Sequence, residues 1–221
     1  MPDSHQTAPN LKPSGADLPE LPEFVLPLVV ANAANLRGYG ELVESADARA
    51  IEIVRWPALG ARPVDPGTGD QGGTTEGIFE FEWAGDVLRG RNNAVDDDYV
   101  LGFACQPRAA SETAATVART KVLLWHANYH PDGGQVFFPL ERKPFVVPLA
   151  LPGDAIAPDK FTAFWFDGSL GLYIHPGIWH EGVFPTADRG RFFDKQGKVH
   201  ARISVDFPRE FGCYLSAPLQ R

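Results

Sequence analysis

Short runs of strand-forming residues recur along the sequence from Phe24 to the C-terminus. Val, Ile, Phe, Tyr and Trp dominate runs such as "FVLPLVV", "GIFEFEW" and "VHARISVDF", and Gly, Pro or Asp separates each run from the next. This spacing is typical of an antiparallel β-sandwich or barrel, whose strands are half buried and whose turns follow every few residues. We therefore predict an all-β fold with few short helices. Because all-β domains of this size are normally undivided, residues 24–221 are expected to form one domain.

A few stretches depart from this pattern. Residues 1–23 hold five prolines among polar residues and are expected to form a loose, disordered arm. Helical turns are expected only in "NAANLRGYGELVE" (32–44) and "ASETAATVA" (110–118). Two segments, "EWAGDVL" (82–88) and "FFDKQGKVHA" (192–201), resemble hairpin corners because their Gly and Asp tolerate tight turns. Cys105 and Cys213 lie in separate apolar runs and are predicted to be reduced thiols in the core.

The charge balance limits the partners of this chain. Its net charge is −8 without a basic tract, which argues against nucleic acid, whose phosphates require clustered Lys and Arg. A small anionic metabolite could still bind through one local arginine. The apolar runs are too short to span a bilayer. The N-terminal sequence lacks the basic start and apolar core of a secretion signal, so a cytoplasmic protein without membrane contact is expected.

The segment "KVLLWHANYH" (121–130) carries the first candidate site residues. Side chains alternate across a strand, so Val122, Leu124, His126, Asn128 and His130 share one face. This face begins apolar and ends polar. Small-molecule sites form at the open ends of β-barrels, so the polar end of this strand is predicted to lie at such a mouth.

The segment "HPGIWH" (175–180) carries the second group. A Pro-Gly turn separates His175 from His180, so the strand after the turn can run beside the strand before it. We predict that His130 and His180 converge at the mouth of the barrel. Gln135 follows the turn after His130 and is expected to face it across a hairpin.

Other polar residues admit two interpretations. His126 lies deeper on its face and is expected to be a core imidazole with a hydrogen-bond partner. His175 either caps the turn or takes part in the chemistry. Arg202 forms either a surface ion pair or a substrate anchor, and His200 is expected at the periphery.

A metal ion is a further alternative at the predicted mouth. His130, Gln135 and His180 together could bind one divalent ion. The residue two positions before His130 is Asn128, however, and an amide is a weaker ligand than a carboxylate.

At these segments the chain resembles the ureidoglycolate lyase family of cupins, also called ureidoglycolate hydrolases. The resemblance is clearest in "HPDGGQVFFPL" (130–140) and "FTAFWFDGSLGLYIHPGIWH" (161–180). It also extends to "FACQPRA" (103–109) and "GYGELVE" (38–44). The resemblance implies a single cupin barrel or jelly roll that forms a homodimer. It also implies a carbon-nitrogen lyase of purine and allantoin degradation, which releases urea and glyoxylate from ureidoglycolate.

Four positions depart from the family pattern. Asn128 replaces a glutamate, Pro176 stands where arginine is common, Glu181 replaces the second of two histidines, and Phe207 replaces an arginine. The missing arginines remove bidentate partners for a substrate carboxylate. A related small ureido or hydroxy acid is therefore an alternative substrate.

The resemblance implies roles for the residues identified above. His130 and His180 would act as base and acid, with His175 as a third catalytic candidate. The substrate-binding candidates are Gln135, Asn128 and Arg202. Two other functions stay open: a metal-dependent cupin oxygenase or isomerase, and a non-catalytic cupin that binds a small ligand.

Overall fold

The computed structural model describes residues 17–55, 57–69, 71–115 and 119–221. These residues form two sheets, and the all-β prediction is confirmed. In chain order the strands are β1 Glu23–Val25, β2 Leu28–Val30, β3 Gly40–Val43, β4 Gln71–Ala84, β5 Val87–Asn92, β6 Asp97–Phe103, β7 Lys121–Leu124, β8 His126–Tyr129, β9 Gln135–Pro139, β10 Phe145–Ala150, β11 Thr162–Phe166, β12 Gly171–Ile174, β13 Trp179–His180, β14 Phe184–Pro185, β15 Arg189–Val199, β16 Ile203–Asp206 and β17 Tyr214–Pro218.

The larger sheet has ten strands in the order β1-β17-β7-β6-β5-β4-β15-β9-β12-β3. The smaller sheet has the order β16-β8-β13-β10-β11-β2, and β14 also pairs with β10. The main hydrophobic cluster contains buried side chains from both sheets, among them Phe81 and Phe137 of the larger sheet and Phe145 and Phe164 of the smaller. The sheets therefore pack on a shared core, consistent with a jelly roll, and within the described residues they do not close into one barrel.

One predicted hairpin corner is confirmed and the other is wrong. Strands β4 and β5 pair antiparallel on either side of Gly85, whose φ of 53° suits a tight turn. The segment 192–201 instead lies largely within β15, which pairs with both β4 and β9. Phe192, Asp194 and Gln196 of this strand are all buried, in the period of two expected for one face of a strand.

The chain before Phe24 is packed where the structure describes it, so the prediction of a loose arm is wrong for residues 17–23. Strand β1 pairs in parallel with β17, and Leu18 and Leu21 contact a second hydrophobic cluster. Tyr214 donates a hydrogen bond from its hydroxyl to the carbonyl of Pro19 at 2.6 Å. Residues 1–16 lie outside the described residues.

Helical structure lies elsewhere than the sequence suggested. Residues 33–39 form turns, and the following residues form β3, which pairs with β12. In the second segment, residues 110–115 form no helix, and 116–118 lie outside the described residues. Two short 3-10 turns occupy Pro107–Ala109 and Pro158–Lys160. Among the described residues, no helix has the length and apolar character needed to cross a membrane.

One α-helix, α1, covers Phe207–Phe211. Asp206 caps its first turn by accepting a hydrogen bond from the Arg209 amide at 2.9 Å. Gly212 ends the helix with a φ of 63°, the left-handed conformation that favours glycine. Phe207, which ends the predicted strand run "VHARISVDF", is instead the first residue of this helix, and its side chain is fully buried. Cys105 and Cys213 are free thiols, as predicted, but both are only partly buried, so their predicted position in the core is wrong.

Candidate active site

A cavity of about 610 Å³ lies between the two sheets and is called the histidine cavity here. Both sheets contribute side chains to its wall, from β4, β5, β6, β9 and β15 on one side and from β8 and β13 on the other. The polar side chains in its wall include His126, Asn128, His130, Gln135, His180, Glu181, Gln196, His200 and Arg202. Five of the six candidate site residues from the sequence, all except His175, therefore line one cavity, together with residues that were not predicted.

His130 and His180 meet in this cavity. Strand β13 pairs with β8 so that His180 lies opposite Asn128, and the two imidazole centroids are 5.2 Å apart. The amide of Gly177 in the Pro-Gly turn donates to the carbonyl of His130 at 2.7 Å. This hydrogen bond joins the turn to the end of β8, which explains why the two histidines lie side by side.

Backbone hydrogen bonds set the tautomer of both rings. Nδ1 of His130 lies 3.0 Å from the carbonyl of Ala201, and Nδ1 of His180 lies 2.7 Å from the carbonyl of Ile178. A carbonyl only accepts, so each Nδ1 carries the hydrogen and each Nε2 keeps its lone pair. Both imidazoles are thereby prepared to accept a proton or a hydrogen bond at Nε2.

Burial keeps both rings uncharged near neutral pH. It lowers the pKa of His180 to about 4. Burial, followed by the neighbouring imidazoles of His200 and His180, holds the pKa of His130 well below its ordinary value. At neutral pH these two side chains are proton acceptors and hold no proton to donate beyond the hydrogen on Nδ1.

His200 belongs to the same group, contrary to the peripheral position expected for it. Its ring stacks on His130 with a centroid distance of 4.2 Å. Its Nε2 lies 2.9 Å from Oε1 of Gln196. Burial lowers the pKa of His200 to about 3, so this ring is also neutral.

A buried carboxyl group behind the cavity orients the amides around it. Asp194 is fully buried and accepts hydrogen bonds from the side-chain nitrogens of Gln135 at 2.8 Å, Asn92 at 2.8 Å and Gln196 at 3.0 Å. Burial raises the pKa of Asp194 to about 6, although the bonds from Gln135 and Asn92 oppose that change. Asp194 thereby fixes which end of the Gln135 amide is the donor and leaves Oε1 as an acceptor without a hydrogen-bond partner among the described residues.

His126 and Asn128 share the cavity face with His130, as the alternation predicted. His126 was expected to be a core imidazole with a satisfied hydrogen bond, but its Nδ1 has no hydrogen-bond partner among the described residues. The buried Oδ1 of Asn128 likewise lacks one. Unpaired buried polar atoms are rare in proteins and are found where a ligand or water can satisfy them.

Arg202 is half buried at the wall of the cavity. Its Nε donates to Oδ2 of Asp65 at 2.6 Å, and the same oxygen accepts from the Ser204 hydroxyl at 2.7 Å. Arg202 forms the ion pair that the sequence suggested. Its partner, Asp65, is buried, so the pair does not lie at the open surface. Among the described residues, the two terminal nitrogens have no hydrogen-bond partner, so they are available to an anionic ligand.

His175 lies apart from this group. It lines a different cavity of about 650 Å³, together with Tyr129, Pro131 and Gly177. Its Nε2 is 3.6 Å from Oε1 of Glu41, and its side chain is one-third exposed. The position of His175 does not support the catalytic partnership with His130 and His180 that we expected for it.

The polar groups of the histidine cavity fit a divalent ion poorly. Nε2 of His130 and His180 and Nδ1 of His126 and His200 have no hydrogen-bond partner among the described residues, and the nearby oxygens, such as that of Gln135, belong to neutral amides. Among the residues described, no three His, Cys, Asp or Glu side chains are grouped to hold a metal ion. A metal bound by His130, Gln135 and His180 stays a prediction, and no step below depends on it.

Comparison with known proteins identifies the family. A sequence model described as ureidoglycolate lyase matches residues 86–202, more than half of the chain. The chain belongs to the ureidoglycolate lyase family. The matched range contains the cavity histidines His126, His130, His180 and His200, and it ends at Arg202.

Curated ureidoglycolate lyases match a shorter stretch. The protein of Azotobacter vinelandii is 37% identical over 70 residues, which cover 31% of this chain and 42% of that protein. The protein of Stutzerimonas stutzeri is 40% identical over 70 residues, covering 31% and 41%. The protein of Pseudomonas entomophila is 35% identical over 83 residues, covering 37% and 50%. The match thus spans half or less of each of these relatives.

Proposed function

We propose that this protein is a carbon-nitrogen lyase that releases urea and glyoxylate from ureidoglycolate or from a closely related small ureido or hydroxy acid. The observation that carries the proposal is the meeting of two neutral imidazoles, His130 and His180, in one cavity, where neither Nε2 has a hydrogen-bond partner in the part of the chain that the structure describes. The family membership and the names of the curated relatives support the same reaction.

The reaction needs a base, a carboxylate anchor and a partner for the urea group. Nε2 of His130 or His180 removes the hydroxyl proton of the substrate, the oxygen becomes the aldehyde of glyoxylate, and the carbon-nitrogen bond breaks. The terminal nitrogens of Arg202 bind the carboxylate. Oε1 of Gln135 and Oδ1 of Asn128 accept hydrogen bonds from the urea N–H groups. A cavity of about 610 Å³ is large enough for so small a substrate.

The direct test is an assay of the purified protein with racemic ureidoglycolate, in which urea and glyoxylate are measured separately. We expect equal amounts of both products and consumption of one enantiomer only. A ligand that raises the melting temperature and is recovered unchanged would instead favour the non-catalytic alternative. Metal analysis of the same preparation tests the predicted divalent ion, and bound iron with oxygen uptake would favour the oxygenase alternative.

Substitution of Arg202 by lysine is expected to raise the KM for ureidoglycolate about 10-fold or more and to change kcat little. Lysine keeps a positive charge beside Asp65, so the buried carboxylate is not left without a partner, but it cannot bind a carboxylate through two nitrogens. Steady-state kinetics measure both constants. An unchanged KM would show that another group anchors the substrate.

We further propose that the protein is a cytoplasmic homodimer, as the family resemblance implies. The small-molecule substrate is consistent with the family. The absence of a basic tract from the sequence supports a function that does not involve nucleic acid.

A further inference from the structure

A short segment of the chain, residues 65–69, is hydrogen-bonded to Arg202 in the wall of the histidine cavity. The Asp65 amide donates to the carbonyl of Arg202 at 2.7 Å, and the Arg202 amide donates to the hydroxyl of Thr68 at 3.0 Å. Thr68 and Arg202 both line the cavity. The segment is therefore part of the cavity wall, and it fixes the backbone from which the Arg202 side chain extends.

The buried carboxylate of Asp65 binds the side chain of the same arginine. Its Oδ2 accepts hydrogen bonds from Nε of Arg202 at 2.6 Å and from the hydroxyl of Ser204 at 2.7 Å. A guanidinium group can bind a carboxylate in bidentate fashion along either of two edges: Nε with one terminal nitrogen, or the two terminal nitrogens together. Since Nε is bound to Asp65, the second edge is the one left for a ligand, and its nitrogens have no hydrogen-bond partner among the described residues.

We propose that Asp65 is a positioning residue that makes the cavity selective for a ligand with a carboxylate group. It holds Arg202 so that the two terminal nitrogens bind that carboxylate side by side. This inference rests on the proposed lyase function, in which Arg202 anchors the carboxylate of ureidoglycolate. Asp65 acts only through Arg202 and takes no part in proton transfer. The family match begins at residue 86, so the 65–69 segment lies outside it.

Asp65 influences anion binding in two opposite ways. Its negative charge offsets the charge of Arg202, and this effect alone weakens the attraction for a second carboxylate. Its hydrogen bond to Nε holds the guanidinium in place, so that a ligand does not bear the entropic cost of ordering a long side chain. We expect orientation to dominate, because a bidentate contact requires the guanidinium and the carboxylate to share one plane. Loss of charge and loss of orientation therefore change the affinity in opposite directions.

The test measures binding of two stable compounds to the full chain by isothermal titration calorimetry. N-carbamoylglycine is ureidoglycolate with a hydrogen in place of the hydroxyl group, and N-carbamoylglycinamide carries a neutral amide in place of the carboxylate. We expect wild type to bind N-carbamoylglycine about 10-fold more tightly than the amide. In Asp65→Ala, which removes the acceptor of Nε, the Kd of N-carbamoylglycine should rise about 10-fold and that of the amide less than about 2-fold. With ureidoglycolate the same variant should raise KM and leave kcat nearly unchanged.

Asp65→Asn is the matched control, because a single oxygen of Asp65 accepts both hydrogen bonds. The carbonyl oxygen of asparagine can accept from Arg202 and Ser204 in the same way, without the negative charge. This variant should therefore bind N-carbamoylglycine at least as tightly as wild type. If a thermal melt shows that Asp65→Ala does not fold, Asp65→Glu takes its place. Glutamate keeps the charge but moves the oxygens by one methylene group, so the affinity for N-carbamoylglycine alone should fall.

Three results would overturn the assignment of Asp65. The first is undiminished binding of N-carbamoylglycine when the acceptor of Nε is removed or moved. The second is a loss in Asp65→Asn as large as in Asp65→Ala, or an equal loss for both compounds. The third is a wild-type protein without a preference for N-carbamoylglycine. None of these measurements needs turnover. If wild type prefers N-carbamoylglycine but releases no urea from ureidoglycolate, the lyase function fails while the role of Asp65 in carboxylate binding stands.

Discussion

Substitution of His130 or His180 by alanine is expected to reduce the release of urea and glyoxylate at least about 100-fold. Each change removes an Nε2 lone pair that faces the histidine cavity, and loss of a positioned general base usually lowers a rate by a factor of about 10² to 10⁴. The more strongly affected variant identifies the base. The measurement is kcat for ureidoglycolate, accompanied by a thermal melt that verifies folding.

His175→Ala gives the informative comparison, because His175 is the candidate that lies in the other cavity. If position decides function, this variant loses far less activity than the other two. Equal losses in all three variants would contradict the structural grouping. Full activity of both His130→Ala and His180→Ala would refute the assignment of the cavity as an active site.

The second large effect concerns stability at acidic pH. We expect the free energy of unfolding to fall as the pH falls from about 6.5 to about 4. Four imidazoles in the wall of the histidine cavity have pKa values below that of an exposed histidine: His126, His130, His180 and His200. The unfolded chain binds protons at these groups near pH 6.5, while the native protein does not, so acid favours unfolding.

Two carboxyl groups oppose this effect without cancelling it. Glu181 and Asp194 have raised pKa values, of about 8 and about 6, so the native protein holds protons there that the unfolded chain releases. Near pH 5.5, unfolding takes up about one proton at each of the four imidazoles and releases about one at each of the two carboxyl groups. The net uptake is therefore about two protons. At about 1.4 kcal/mol per proton and pH unit, we expect a slope of roughly 1 to 3 kcal/mol per pH unit.

Urea denaturation at several pH values between 7 and 4 measures this slope. A variant such as His200→Gln removes one imidazole from the balance and should give a shallower dependence than wild type. A free energy of unfolding that is constant or increases toward pH 4 would contradict the neutral state assigned to the buried rings.

The sequence was sufficient to predict those features that depend on local periodicity. Alternation along "KVLLWHANYH" placed His126, Asn128 and His130 on one face, and all three line the cavity. The Pro-Gly turn after His175 led to the prediction that His180 lies near His130, and the hydrogen bond from Gly177 to His130 explains it. Strand-forming runs likewise predicted the all-β class.

Features that depend on pairing between distant strands could not be predicted in this way. The segment with Asp194 and Gln196 was predicted to be a hairpin corner because Gly and Asp tolerate tight turns, yet tertiary pairing with β4 and β9 keeps both residues in a strand. His200 follows that strand, and its wrong peripheral assignment has the same cause. The alternation of Phe192, Asp194 and Gln196 was the available signal.

The three amides held by Asp194 have a consequence for which compounds the protein can recognise. Each amide gives one N–H to this carboxyl group, and Oε1 of Gln135, which accepts no hydrogen bond from the described residues, remains as an acceptor in the cavity lined by His130 and His180. This side of the wall therefore presents acceptors, namely Oε1 of Gln135 and Nε2 of His130 and His180. A ligand that donates N–H groups to this side, as a carbamoylated amine does, complements these acceptors. A carbonyl or carboxylate oxygen in the same place would face another acceptor and form no hydrogen bond with it.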